Sequence, residues 1–185
     1  MFASHDKQTI IAQCTPKGSG AIALLRLSGT HAVDIASKFS SLASGKPLTQ
    51  VASHTVHYGS IVDEEQKTID KVMFIVMHAP RTFTGQNVVE ITAHNNQFLI
   101  EEIITLSIKH GARLAQQGEF ARRSVLNGKI DLVQAEAINE LIHANTQLAL
   151  KKSLAQLEGS FSHWISGIEQ KLLDALVLSE ASFEF

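Results

Sequence analysis

The feature that most constrains the fold of this chain is a change of texture near Gly118. Before it, short runs rich in β-branched residues alternate with turn signals. After it, apolar residues recur at spacings of three and four almost without interruption. A chain divided in this way is expected to place a sheet-bearing domain ahead of packed helices. The expected class is therefore α/β (α+β): a mixed-sheet domain over residues 1–118, then antiparallel helices over 119–185.

Within the first part, "TIIAQC" (9–14) and "AIALLRLS" (21–28) read as strands, the first ended by Thr15-Pro16 and the second closed by Gly29. "THAVDIASKFSSLA" (30–43) carries Val33, Ile35, Ala36 and Phe39 behind a threonine suited to capping, which predicts a helix. "VASHTVHYGSIVD" (51–63) and "KTIDKVMFIVMHA" (67–79) read as strands around an acidic turn, and "NVVEITAH" (87–94) as another. "QFLIEEIITLSIKHG" (97–111) has helical periodicity with Gly111 as its stop.

In the second part, "EFARRSVLN" is a helix ended by Gly128, and Asp131 with Gln134 three residues on predicts a capping box. A further helix is expected from Asn145 or Thr146 through Trp164 and Leu176 to Phe185, without a terminal cap. Its apolar stripe needs a surface to cover it, through either self-association or further chain.

The segment "CTPKGSGAIALLRLSG" (14–29) contains Gly18, Gly20 and Ala23 in the order G-x-G-x-x-A, the form of a dinucleotide-binding turn. That function needs a helix after the glycines, since the helix N-terminus holds the pyrophosphate. "AIALLRLSG" is short, leucine-rich and closed by Ser-Gly, a better strand than helix. The glycines are accordingly read as a hairpin connection. No G-x-x-x-x-G-K-[ST] occurs, so this chain has no P-loop of its own.

Hydrophobic residues make up 44% of the 185 and charged residues 18%, which suits a globular core; the net charge of −2 offers no global basic field for nucleic acid. Cys14 is the only cysteine, which excludes an intrachain disulfide and a cysteine-rich metal site. With no signal-like opening and no long apolar run, a cytoplasmic setting without membrane contact is expected. The nine histidines lack metal-ligand spacing: His54 and His57 fall on opposite faces of a strand, and H-E-x-x-H is absent. No nucleophile motif such as G-x-S-x-G is present, so no catalytic residue is assigned.

Two charges interrupt apolar strands. Glu90 alternates with Val89 and Ile91, and Arg26 shares a face with Leu24 and Ser28. They are either the wet side of a half-buried sheet or the floor of a pocket, where a carboxylate can accept from a flat N–H array and a guanidinium can hold an anion or stack on a ring. Arg122, Arg123 and Lys129 form a cationic cluster, suited to a solvated face or to a ligand carboxylate or phosphate.

"TIIAQCTPKGSGAIALLRLSG", "PRTFTGQNVVEITAHN", "QGEFARRSVLNGKIDLVQAEAINELI" and "EASFEF" together resemble, in order and spacing, the N-terminal part of the MnmE (TrmE) family of bacterial tRNA-modification GTPases. The pattern GEF-x-x-R-x-x-L-N-G-K-x-D-L-x-Q-A-E-A is specific. The resemblance implies an N-terminal domain that binds a tetrahydrofolate derivative (5-formyl- or 5,10-methylene-tetrahydrofolate) and forms a homodimer, followed by part of a helical domain. In that family GTP, magnesium and potassium belong to an inserted GTPase domain absent from this chain, so the chain alone is not expected to hydrolyse GTP. An MnmG-type FAD protein is the partner in modifying C5 of the tRNA wobble uridine, with folate as the one-carbon source.

Carried over position by position, the resemblance implies Arg26, Glu90 and Lys129 as folate contacts: Glu90 for the pterin edge and the cations for the anionic tail. The chain departs from the family pattern at Gln86 and Asn87, where an acidic pair is usual. It also has Asn95 and Asn96 within His94–Gln97 where G-H-G-G is usual, and Gln117 where proline is usual. The asparagines raise the question of whether the loop beside Glu90 keeps its backbone shape.

Overall fold

The computed structural model of the protein describes residues 8–183 and divides the chain into two compact units, 1–129 and 130–185. In the first unit, strands β1 (Ile10–Gln13), β2 (Ile22–Ser28), β3 (Ser40–Leu42), β4 (Thr55–Val62), β5 (Thr68–Met77), β6 (Val88–His94) and β7 (Arg113–Leu114) make one sheet in the order β3-β4-β5-β6-β2-β1-β7. Every neighbouring pair is antiparallel except β1 with β7, so the sheet is mixed. Helices α1 (Ala32–Ser37), α2 (Gln97–Lys109) and α3 (Glu119–Leu126) belong to this unit.

Alternation along the strands sorts the residues between two faces. Ala23, Leu25 and Leu27 of β2, Val72, Phe74 and Val76 of β5, and Val89, Ile91 and Ala93 of β6 are buried in one core with Val33, Ile35 and Ala36 of α1 and Ile100, Ile103 and Leu106 of α2. Complete burial of the valine, leucine, isoleucine and phenylalanine side chains among them contributes about 1.5–3 kcal/mol each. The opposite, open face carries Leu24, Arg26, Glu90 and Thr92 at its centre, with Ile22, Val56, Tyr58 and Met73 exposed around them.

The glycine-rich segment joins β1 to β2 as an antiparallel hairpin in which Gln13 faces Leu25 and Ile10 faces Ser28. A strand therefore follows the glycines, and no helix N-terminus is available to them. Gly29, which ends β2, is irreplaceable for a steric reason: its φ is +149°, and a Cβ there would lie 2.5 Å from Thr9 Cα.

Several local expectations are corrected. The helix after Gly29 spans only Ala32–Ser37, its N-cap is His31 without a side-chain bond, and Ser40–Leu42 leaves it as the edge strand β3. Thr30 does not cap it; Thr9 instead accepts from the His31 amide at 3.2 Å. His54 precedes β4 with φ +62°, so it does not face away from His57 across a strand. Apart from these corrections, α3 lies in the first compact unit, which ends at Lys129: Arg113 of β7 binds Glu119, and Ser124 donates to the Phe83 carbonyl.

The second unit holds α4 (Leu132–His143), α5 (Gln147–Leu157) and α6 (Ser160–Phe183). Asp131 and Gln134 form the predicted capping box, and Thr146 caps α5. The long final helix is broken in two at Gly159, whose φ of +90° no helix interior adopts. Trp164, Leu172, Leu176, Val177 and Leu178 of α6 remain exposed. Phe185, expected at its end, lies outside the described residues. No helix among the described residues is long and apolar enough to cross a membrane.

Candidate functional site

β2 and β6 pair in a register that sets Arg26 directly opposite Glu90. Nε and Nη2 of Arg26 both lie 2.7 Å from the same carboxylate oxygen, Oε1 of Glu90. Among the described residues Oε2 has no bonded partner. The pair is partly desolvated, with side chains 25% and 15% exposed, which makes the charge-assisted bonds stronger than a surface pair would be. From α3, the Phe120 ring covers the guanidinium, with Cζ 5.4 Å from the ring centroid. That distance is within cation–π range.

Lys129 lies beside the loop between β5 and β6. Its stem runs so close to Gly85 that a Cβ on that glycine would meet Lys129 Cγ and Cδ at 3.3 Å. Neighbouring Thr84 shares a 2.7 Å hydroxyl bond with Ser28, which stands two residues along β2 from Arg26. Lys129 is exposed and forms no ion pair among the described residues. The expected cationic cluster is not uniform: Arg123 is 1% exposed and serves an internal carboxylate, whereas Arg122 is exposed.

That carboxylate is Glu119, which the sequence reading did not single out. Arg113 binds it with two nitrogens, at 2.8 Å to Oε2 and 2.5 Å to Oε1, and the Gln116 amide donates to Oε2 at 2.8 Å. Arg123 adds Nη2 at 2.8 Å and sends Nη1 to Gln86 Oε1 at 3.0 Å. Desolvation pushes the Glu119 carboxyl upward. The bonds from Arg113, the Gln116 amide and Arg123 outweigh it and hold the carboxyl at about 2. The i, i+4 spacing of Glu119 and Arg123 was a readable signal for their pairing.

The departures from the family pattern have structural roles. Gln86 accepts from Arg123, and Asn87 accepts from the Ala79 amide and donates to the Thr30 carbonyl. Asn95 donates to the Gly18 carbonyl at 2.8 Å, tying the β1–β2 turn to the end of β6. Asn96 has φ −119° and caps α2 by accepting from the Phe98 and Leu99 amides. Neither asparagine needs the left-handed backbone of a glycine, and the loop beside Glu90 carries no strain from them.

Cys14, at the end of β1, feels the same charges. Partial desolvation raises its thiol above the ordinary value, Arg26 opposes the rise and Glu90 adds to it. Its alkylation rate is therefore a reporter of the site, since only the thiolate reacts. At constant pH, Glu90→Gln is expected to speed iodoacetamide labelling of Cys14 and Arg26→Gln to slow it, relative to the parent chain. The reverse order would show that Cys14 does not sense the pair. Among the described residues no cluster of His, Cys, Asp and Glu is arranged to hold a metal ion.

Comparison with known proteins follows the same two-part division. Residues 9–129 match the family described as GTP-binding protein TrmE N-terminus, and residues 132–185 match the MnmE helical domain. The chain belongs to the MnmE family. It is 46% identical over 185 residues to the tRNA modification GTPase MnmE of Lactococcus lactis subsp. lactis strain IL1403, covering all of this chain and 40% of that protein. The protein of the same name from Streptococcus pyogenes serotype M5 strain Manfredo is 46% identical over 186 residues, with the same coverage. The chain thus spans about 40% of the length of the curated relatives it matches. The boundary between the two matched families falls beside the Lys129–Ile130 division of the fold.

Proposed function

We propose that this chain binds a reduced folate, 5-formyl- or 5,10-methylene-tetrahydrofolate, on the open face of its sheet. In this reading it is the folate-binding and dimerising part of a tRNA wobble-uridine modification system that works with an MnmG-type flavoprotein. GTP, magnesium and potassium would act in a GTPase domain of the complete system, and contact with tRNA would be made through the full complex. In this reading residues 1–118 are the folate-binding and dimerisation domain, and residues from 119 onward belong to the helical domain.

The observation that carries the reading is the convergence of two Arg26 nitrogens on Oε1 of Glu90, which leaves Oε2 as an acceptor. The pterin edge presents adjacent N–H donors, and a carboxylate oxygen in a partly dry site suits them. Lys129, without an internal anion, suits the glutamate tail. The folate supplies the one-carbon unit when bound, with Arg26, Glu90 and Lys129 as its contacts: Glu90 orients the ring and Lys129 holds the tail. The exposed Ile22, Val56, Tyr58 and Met73 on the open face support self-association.

Isothermal calorimetry of the full chain with 5-formyltetrahydrofolate tests this reading, and saturable binding is expected. A folded, dimeric sample that releases no binding heat would overturn it. The apolar open face also supports a second reading, a dimerisation or partner-docking module without folate. Sedimentation of Glu90→Ala separates the two. Under the first reading the substitution removes ligand binding and leaves the dimer; under the second the parent chain dimerises and never binds.

A further inference from the structure

Glu90 can present a free oxygen to a ligand only if Arg26 stays on the other one. A guanidinium has several N–H donors and commonly takes a carboxylate fork-to-fork, which would occupy both oxygens. Here Nε and Nη2 converge on Oε1 alone. Arg26 reaches across the open face on a long side chain that is 25% exposed, and the pair bond by itself does not dictate which oxygens it takes.

The other group touching the guanidinium is the ring of Phe120. The helix that carries that ring is anchored on both sides of it. Its neighbour Glu119 is locked by Arg113, Arg123 and the Gln116 amide, and Ser124 donates to the Phe83 carbonyl at 2.6 Å. α3 is thereby pinned both to β7 and to the loop that leads into β6. An aromatic face beside a guanidinium attracts it and favours the orientations that keep it against the ring.

We infer that Phe120 is a positioning residue of the ligand site. Its ring holds the Arg26 guanidinium on Oε1 of Glu90 and so keeps Oε2 available for the paired N–H donors of a flat heterocycle. The inference rests on the folate reading for its ligand, but the contact itself can be examined without one.

The test uses the full chain with Phe120→Leu, which keeps apolar volume and removes the ring, and Phe120→Trp, which restores an aromatic face. Circular dichroism checks folding, and Phe120→Tyr replaces the tryptophan variant if that one unfolds. Two measurements follow: the Arg26 Nε–Hε resonance without ligand, and calorimetry with 5-formyltetrahydrofolate.

In Phe120→Leu the Arg26 signal is expected to lose its ring-current displacement and its protection from solvent exchange, and affinity should fall about tenfold. The aromatic variant should recover affinity to within about twofold of the parent. In an Arg26→Gln background, Phe120→Leu should cause no further loss, since the ring then has no cation to hold.

An unchanged Arg26 signal in Phe120→Leu overturns the inference, and so does parental affinity in that variant. Equal losses in leucine and tryptophan variants overturn it as well, because they indicate packing and no role for the ring face. If the parent chain binds no folate, the folate reading fails and the Arg26 resonance alone decides the positioning role.

Discussion

Replacing Glu119 by alanine is expected to destabilise the sheet unit by about 3–5 kcal/mol, the usual cost of removing one partner from a buried ion pair. The cost arises mostly from what remains. Arg123 is 1% exposed and would keep its charge without the carboxylate that now faces it, while Arg113 would lose the bonds it makes to the same group. Trp164 lies in α6, so tryptophan fluorescence reports the helical unit. Amide exchange in β2 and β6 as denaturant rises would measure the sheet unit directly. A loss below about 1 kcal/mol would mean that the two arginines reach solvent at little cost, contrary to their burial.

The same carboxylate sets a pH dependence whose sign is fixed. Its folded-state value of about 2 lies below the ordinary value of 4.5, so the folded state favours the ionised form. The contribution is complete above the ordinary carboxylate range and is lost as pH falls from about 5 toward 2, amounting to about 3 kcal/mol. Glu119→Gln should flatten that part of the acid-stability curve. An acid limb of unchanged height in the variant would move the effect to other carboxylates.

Glu90→Gln is the second large effect, expected in binding with only a modest change in stability. The amide removes the charge and turns an NH2 group toward the N–H donors that Oε2 would accept, so an attraction becomes a clash of donors. Hydrogen bonds to charged groups contribute about 1.5–3 kcal/mol each, which places the loss of affinity for 5-formyltetrahydrofolate at about 100-fold or more. The fold should survive, because the pair keeps some contact with solvent and the sheet register rests on Val89, Ile91 and Ala93 beneath it. Retention of parental affinity in a folded variant would remove Glu90 from the site.

Much of this could be read along the chain because it depends on neighbours in sequence. Alternation in "NVVEITAH" separates Glu90 from Val89 and Ile91 whatever the strand pairs with, since successive side chains point to opposite faces. The Asp131–Gln134 capping box closes within one helical turn. The refusal of "AIALLRLSG" to serve as a phosphate-binding helix is likewise a property of its own residues. Short elements misled the same logic: residues 40–42 carry helical spacing after Phe39, yet pairing with β4 claims them as an edge strand.

What the sequence by itself determined is therefore the menu of elements, the faces of the strands, and the candidacy of Arg26, Glu90 and Lys129. Only the tertiary structure decided that Arg26 stands opposite Glu90 across sixty-four residues of chain, on one oxygen of the carboxylate. It alone sorted the basic cluster, burying Arg123 against Glu119 while leaving Lys129 exposed beside Gly85. The physical reason is common to both. Face and periodicity follow from local backbone geometry, whereas strand register and the pairing of charges are fixed by contacts distant in sequence, where burial selects an arrangement that pairs the charges it takes out of water.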